Sequence, residues 1–395
     1  MAGMTTTLLP DLPVVTRRAG ARIVLEMYRM TGRNPTGVHR YALSLAEALV
    51  SIVRAGDTVD VWTAREPRGA ASPSRMPVST WAAPRRPLHL AWAALHRPHA
   101  DRFLGPASLV HQLTNVVPVP TRRPLVVTVH DVMPLQFPDW YERAPRWAFG
   151  RALRYAAANA ASLIAPSERV SLDIQDWLGV EPERITVIPE GVGSPFTQPV
   201  PPAAIRTAGA MFGVEPRRYY VVVGEVTARK NLPVLFQALA QLRGKPGALP
   251  LLVVGAPGKA AEDVVAATED WGVTDLVRFT GRVTDPTLAA LVQGARALVH
   301  PSMYEGFGLT PLEAMASGTP VVASAAGALP EVVGTAGMLV PAGHADGWAA
   351  AMATAAIDDA WAARAVAVGR ARAAAFTWEA AARRTWDVYE RVLAS

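Results

Sequence analysis

Residues 302–318 read Ser302-Met303-Tyr304-Glu305-Gly306-Phe307-Gly308-Leu309-Thr310-Pro311-Leu312-Glu313-Ala314-Met315-Ala316-Ser317-Gly318. Seven residues separate Glu305 from Glu313, and a loop broken by Gly306 and Gly308 runs straight into what reads as a helix start. Thr310 suits the N-cap, Pro311 the first helical position, and Glu313 completes a Thr-x-x-Glu capping box. A loop that ends on a helix N-terminus presents free N–H groups and the positive end of the helix dipole, and both attract anions. Gly306 and Gly308 let the backbone approach a ligand closely. Glu305 adds a carboxylate able to accept sugar hydroxyls, beside amides suited to a diphosphate. That combination fits a sugar nucleotide. For Glu313 taken alone, a capped helix after a turn is the plainer alternative.

Working outward, apolar runs of strand length alternate with helical stretches through the whole chain, the pattern of parallel α/β sheets. In the first half the runs fall at 22–28, 58–63, 108–112, 125–130, 162–165 and 185–188. In the second they fall at 219–223, 251–254, 277–280, 297–300 and 320–323. Residues 38–50 carry apolar side chains at three and four spacing, and 232–242 follow Asn231, which reads as their cap. The periodic pattern breaks at 191–202, where Gly, Pro, Ser, Thr and Gln replace it. A chain of 395 residues fits two domains, each able to bury its own core.

Several ordered blocks carry a family resemblance over roughly residues 21–395. The Glu305/Glu313 segment resembles the E-x7-E signature of the retaining family-4 glycosyltransferases, and the Arg229-Lys230-Asn231 variant of their clamp resembles a mannosyltransferase-like branch. Asn34-Pro35-Thr36-Gly37-Val38-His39-Arg40-Tyr41 is similar to their N-terminal glycine loop, and Val129-His130-Asp131 to their histidine motif. Gly224-Glu225-Val226-Thr227-Ala228-Arg229-Lys230-Asn231 resembles their arginine-lysine phosphate clamp, and Leu329-Pro330-Glu331-Val332 follows at the usual distance. Two departures lie near the expected donor pocket. Glu225 stands where a small hydroxyl residue is commoner, and Ser324-Ala325-Ala326-Gly327-Ala328 replaces a more polar stretch.

The resemblance implies the GT-B fold, two facing Rossmann-like domains with a donor cleft between them. Residues 1–20 then form a flexible extension, 21–195 with 376–395 an acceptor-binding domain, and 203–375 a nucleotide-sugar-binding domain. It also implies a retaining hexosyltransferase whose donor is GDP-mannose, or alternatively a UDP-sugar, and whose acceptor is a glycan or a lipid-linked glycan. A nucleotide-sugar epimerase or hydrolase of the same fold and a silent partner subunit are the rivals. Against the first, few acid/base residues surround the expected sugar position. Against the second, Arg229, Lys230, Glu305 and Glu313 are all present.

The chemistry follows from the leaving group. Breaking a sugar–diphosphate bond builds negative charge on phosphate oxygen, and preorganised cations and N–H donors stabilise it. Arg229 and Lys230 come after a strand and before a helix, at the carboxyl end of a sheet where ligands bind. Arg can grip a diphosphate with paired bonds, while Lys acts as a point charge. Gly37 opens a helix whose amides can face the phosphates. By resemblance, His130 reaches the donor sugar, Glu305 positions it and Glu313 holds ribose hydroxyls. Gly224, Gly306, Phe307, Gly308 and Leu309 line the donor, with the nucleobase at the backbone of Arg282 and Val283. No Asp-x-Asp occurs, so the expectation is catalysis with no required metal and no cofactor.

The chain has no cysteine, which removes disulfides and thiolate chemistry. Residues 1–20 carry Asp11 early and lack a basic start before an apolar core, so they do not read as a signal peptide. The expected place is the cytoplasm, with peripheral contact at the inner face of the membrane. Residues 1–200 hold 22 Arg and no Lys against 16 acids, whereas 201–395 balance 17 basic against 17 acidic residues. No zinc finger, RNA-binding signature or arginine-rich run points to nucleic acid. An anionic membrane or a phosphate-bearing acceptor fits better. Residues 81–104, with Trp81, Trp92, Arg85, Arg86, Arg97 and Arg102, are the candidate contact; a buried helix with a basic rim is the alternative.

Overall fold

The computed structural model describes residues 20–27, 37–63, 78–80, 85–114 and 117–395. The first sheet comprises β1 (Arg22–Met27), β2 (Thr58–Thr63), β3 (Val78–Thr80), β4 (Leu109–Gln112), β5 (Leu125–Thr128), β6 (Ser162–Ala165) and β7 (Ile185–Val187). The second comprises β8 (Tyr220–Val223), β9 (Leu251–Val254), β10 (Val277–Gly281), β11 (Ala297–His300), β12 (Val321–Ser324) and β13 (Met338–Val340). The strand orders are β3-β2-β1-β4-β5-β6-β7 and β10-β9-β8-β11-β12-β13. Every pairing described between these strands is parallel. In each sheet the chain starts near the middle, winds to one edge and returns to the other side. The order therefore reverses between β1 and β4 and between β8 and β11. Ligands of such sheets bind beyond the strands' carboxyl ends beside that reversal.

Helices cover both faces, so the inner strands read as unbroken apolar runs: β4, β5, β6, β9, β11 and β12 are buried throughout. On one face of the first sheet, Tyr41, Leu45 and Leu49 of helix Gly37–Ile52 pack with Trp386 and Tyr389 of the last helix, Trp378–Ala394. The chain thus ends back on its first half. The two crossings between halves run side by side, with Val192 N–H donating to Phe376 O at 3.0 Å. A β-carbon on Gly191 would lie 2.3 Å from Trp378 N, so only glycine permits that approach.

Four expectations need correction. The helix of the E-x7-E block runs Leu309–Ser317 and starts one residue before Thr310. Gly308, at φ 122°, turns the chain into it, and no side chain caps it. Thr310 is therefore inside the first turn and forms no box with Glu313, whose carboxylate is taken by an arginine of the other half. Pro311 is tolerated there because first-turn N–H groups have no partner within the helix.

Asn231 does not cap Leu232–Leu242 with its side chain. It sits in the left-handed region at φ 51°, and its amide nitrogen donates instead to Ala342 O at 2.8 Å. His130 lies two residues beyond its strand, which ends at Thr128. In 81–104, Trp92 and Leu88 are buried in the core, because helix Arg85–Leu95 turns that face onto the sheet. Leu90 and Leu95 point outward. Residues 1–19, Tyr28, Asn34-Pro35-Thr36 and Trp81 lie outside the described residues.

Candidate active site

The carboxyl ends of β8 and β11 converge on Glu305. After β8, Gly224 adopts φ +142°, and a β-carbon there would meet Lys230 Cε at 2.6 Å. Glycine thus leaves the channel through which Lys230 reaches the cleft. A short turn, Ala228–Lys230, then aims both cations at one carboxylate. Lys230 Nζ donates to Glu305 Oε1 at 2.8 Å, and Arg229 Nη1 lies 2.6 Å from the same oxygen. Arg229 also donates to Tyr304 O at 3.0 Å. Beyond β11, Ser302 Oγ donates to Glu305 Oε1 at 2.7 Å, and His300 Nε2 is 3.1 Å away.

Four partners therefore converge on a single carboxylate oxygen. Burial alone would raise the Glu305 carboxyl, but Arg229, Lys230 and His300 hold it well below the usual carboxylate range. His300 is pushed down to about 4 by burial and by Lys230, so its ring is neutral. Its Nε2 then carries the proton toward Glu305 and its buried Nδ1 stays bare, which matches the lack of a partner for it among the described residues.

The first half closes over this cluster. A β-carbon on Gly306 would lie 2.1 Å from His130 O, so the loop and the histidine motif touch through backbone. Asp131 receives Met133 N–H at 3.0 Å and feels both Arg229 and Glu305. Gly37 opens helix Gly37–Ile52 with Leu309 Cδ1 3.8 Å from where its β-carbon would be. One turn on, Arg40 pairs with Glu313 Oε1 and, at 2.9 Å, with Asp285 Oδ1. Burial pushes the Glu313 carboxyl up to about 7, with Arg40 pulling the other way. Phe307 is buried, and Leu309 and Val283 pack against the same core. Arg282 is exposed in the turn after β10.

His130 is held by two acceptors of its own half. Its Nε2 donates to Leu113 O at 2.9 Å, and its Nδ1 faces Glu190 Oε1 at 3.5 Å. Two acceptors call for two protons. Burial lowers this imidazole, yet Glu190, Leu113 O and Asp131 together raise it above the ordinary 6.5. A raised histidine contributes stability in full below its ordinary value and loses it as pH rises through the raised one. Glu190→Gln should therefore lower the His130 midpoint seen by ring NMR and flatten the stability profile over that window. An unmoved midpoint would refute the pairing.

Arg229, Lys230, Glu305 and Gly224, which the structure brings side by side, were all named by sequence reasoning. It missed Arg40, Asp285, Glu190, His300 and Ser302 as partners. Arg40 lay within the quoted glycine block, and His300 and Ser302 stand five and three residues before Glu305. Nothing in spacing ties Glu190 to His130.

Comparison with known proteins bears on this geometry. The Glycosyltransferase Family 4 model matches residues 35–193, and the Glycosyl transferases group 1 model matches 217–358. An O-antigen chain mannosyltransferase B of Escherichia coli is 30% identical over 267 residues, 67% of this chain and 70% of that protein. The chain is a family-4 glycosyltransferase. A second relative, an MMP alpha-(1->4)-mannosyltransferase of Mycolicibacterium hassiacum, is 32% identical to the transferase over 69% of this chain and 66% of its own. Among solved structures, sucrose-phosphate synthase from Thermosynechococcus elongatus superposes with a TM-score of 0.75 at 25% identity, covering 95% of the transferase and 99% of that chain. The fold of the transferase is GT-B.

Proposed function

We propose that the transferase is a retaining hexosyltransferase that moves mannose from GDP-mannose onto a glycan or lipid-linked acceptor in polysaccharide or glycolipid synthesis. The observation that carries this reading is the convergence of Arg229 and Lys230 on Glu305 at the sheet's carboxyl end. The two mannosyltransferase relatives favour the sugar. In the reaction the bond from anomeric carbon to phosphate oxygen breaks, and its electron pair stays on the phosphate beside Arg229 and Lys230. The acceptor oxygen bonds to the same face of that carbon and gives its proton to the departing phosphate, so no side-chain base is needed opposite. Glu305 accepts sugar hydroxyls and steadies positive charge at the anomeric carbon. Glu313 holds the ribose, and the turn at Arg282 and Val283 seats the base.

Thermal-shift screening of GDP- and UDP-sugars, followed by NMR of the product's anomeric configuration, tests this. Stabilisation by UDP-sugars alone selects the UDP reading, and an inverted product refutes retention. Arg229 and Lys230 supply the charge a divalent ion would otherwise bring. Transfer should therefore survive excess chelator, and a strict need for added magnesium or manganese would refute that.

The reading includes peripheral contact with an anionic membrane, at a different surface from residues 81–104. No described helix is long and apolar enough to cross a membrane. On helix Arg143–Asn159, Arg143, Arg146, Trp147, Gly150 and Arg154 recur at helical spacing and, with Trp177, line a cavity of about 420 Å³. Trp147 and Trp177 are each 49% exposed. Half-exposed Trp beside Arg suits a headgroup layer, each basic residue adding about 1 kcal/mol. Binding to anionic vesicles should fall steeply from low to physiological salt and be lost when the three arginines become Ser. No sedimentation with vesicles at low salt ends this reading.

A further inference from the structure

The block Leu329-Pro330-Glu331-Val332 has no part in the chemistry above, yet it makes a specific contact with the opposite half. Helix Glu168–Leu178 belongs to the first half and begins at Ser167, whose hydroxyl accepts Val170 N–H at 3.2 Å. The next two free amides of that turn do not go to water. Glu168 N–H donates to Glu331 Oε2 at 2.8 Å, and Arg169 N–H donates to Glu331 Oε1 at 2.7 Å. A carboxylate spread across two first-turn amides, at the positive end of the dipole, is the arrangement such a terminus favours. Here the carboxylate comes from the other half of the molecule. Arg372 fixes it from behind, its Nε donating to Val332 O at 2.5 Å and its guanidinium also reaching Glu331 O.

The same helix also grips the catalytic loop. Ser167 Oγ donates to Gly306 O at 2.7 Å, and the Tyr304 hydroxyl donates to the Asp173 carboxylate. The residues on both sides of Glu305 are thus tied to helix Glu168–Leu178. Ala328 N–H donates to Glu305 O at 2.9 Å, which joins Glu305 directly to the segment bearing Glu331. Glu331 itself is exposed, so its bonds to the helix compete with water and can be made and broken.

We propose that Glu331 is a positioning residue, an interdomain latch whose engagement with the Glu168 and Arg169 amides closes the cleft and sets Glu305 in place. The kinetic part of this rests on the transferase reaction at Glu305 proposed above; the latch itself rests on contacts between the halves. A plain structural cap would add stability only. A latch also governs the distance between halves and turnover, while leaving the nucleotide pocket of the second half nearly unchanged.

The chain has no cysteine, so Ala158→Cys and Ala350→Cys, both exposed and on opposite halves, provide clean sites for paired distance labels. The measurement compares the full-length protein with Glu331→Gln, Glu331→Ala and Glu168→Pro, with GDP and UDP as probes. Glu168→Pro approaches from the other side. It deletes one latch N–H at the first helical position, where proline is well tolerated, and Ser167 before it is already extended at φ −153° and ψ 161°.

The expected result is a shift of about tenfold from short to long distances and a fall of about tenfold in kcat, with nucleotide affinity within about twofold. Distances and kcat that stay unchanged in both Glu331 variants overturn the latch. A lowered melting temperature with distances and kcat unchanged also overturns it, leaving a simple cap. Should Glu168→Pro fail to fold, the Glu331 variants decide alone. Should no nucleotide sugar be turned over, the reaction reading fails, and the distance distributions still decide the latch.

Discussion

Arg229→Ala lowers turnover by about two to three orders of magnitude, the loss expected when a preorganised cation is removed from a leaving phosphate. Its guanidinium stands 2.6 Å from Glu305 Oε1 and is braced by Tyr304 O, so a ligand phosphate entering the cluster meets a charge already in position. Lys230 should behave alike, but it is buried at 8% exposure, and Ala there would also open a cavity against Gly224. Lys230→Met keeps the aliphatic length and removes only the charge, so it is the fairer test. Single-turnover assays at saturating donor separate loss of chemistry from loss of binding. Near-normal turnover in Arg229→Ala and Lys230→Met would sink the clamp.

Glu305→Gln is expected to damage both chemistry and stability, whereas Glu313→Gln acts mainly on nucleotide binding. The first variant leaves Arg229 and Lys230 facing a neutral amide. Breaking a half-enclosed charge cluster in this way costs about 1–3 kcal/mol, less than for full burial because Arg229 keeps contact with water. A nucleoside diphosphate restores the missing negative charge, so GDP should raise the melting temperature of Glu305→Gln more than that of the parent. Glu313→Gln removes the Arg40 pair across the cleft. Because burial holds the Glu313 carboxyl near 7, the parent is largely protonated below that pH, and the two proteins should diverge as pH rises through it. Calorimetric titration of GDP into both variants at two pH values checks the division. Equal loss of affinity in both would refute it.

The parallel α/β layout and the clustering around Glu305 were legible because period and motif are local properties. Eleven of the strands leave apolar runs; β3 reads Val-Ser-Thr, with one apolar residue in three, and β13 is a bare Met-Leu-Val set between a glycine and a proline. The start of helix Leu309–Ser317 was misplaced because Gly308 sets it through backbone conformation, which no capping side chain announces. The partner of Glu313 could not be read at all, since Arg40 lies 273 residues away and meets it only once the halves face each other. Trp92 illustrates a different limit. Trp, Leu and Arg on one helix compose a membrane-facing surface or a core face equally well, and only packing against the sheet decides.

The paired crossings at Val192 and Phe376 have a consequence for engineering and descent. The second half leaves the first and rejoins it at adjacent points, where Val192 N–H donates to Phe376 O at 3.0 Å. The second half is therefore arranged as a cassette with neighbouring ends. A different cassette with the same spacing between its ends would need just two splice points beside Gly191 and Trp378. The first half, final helix included, would keep its own core intact through the exchange.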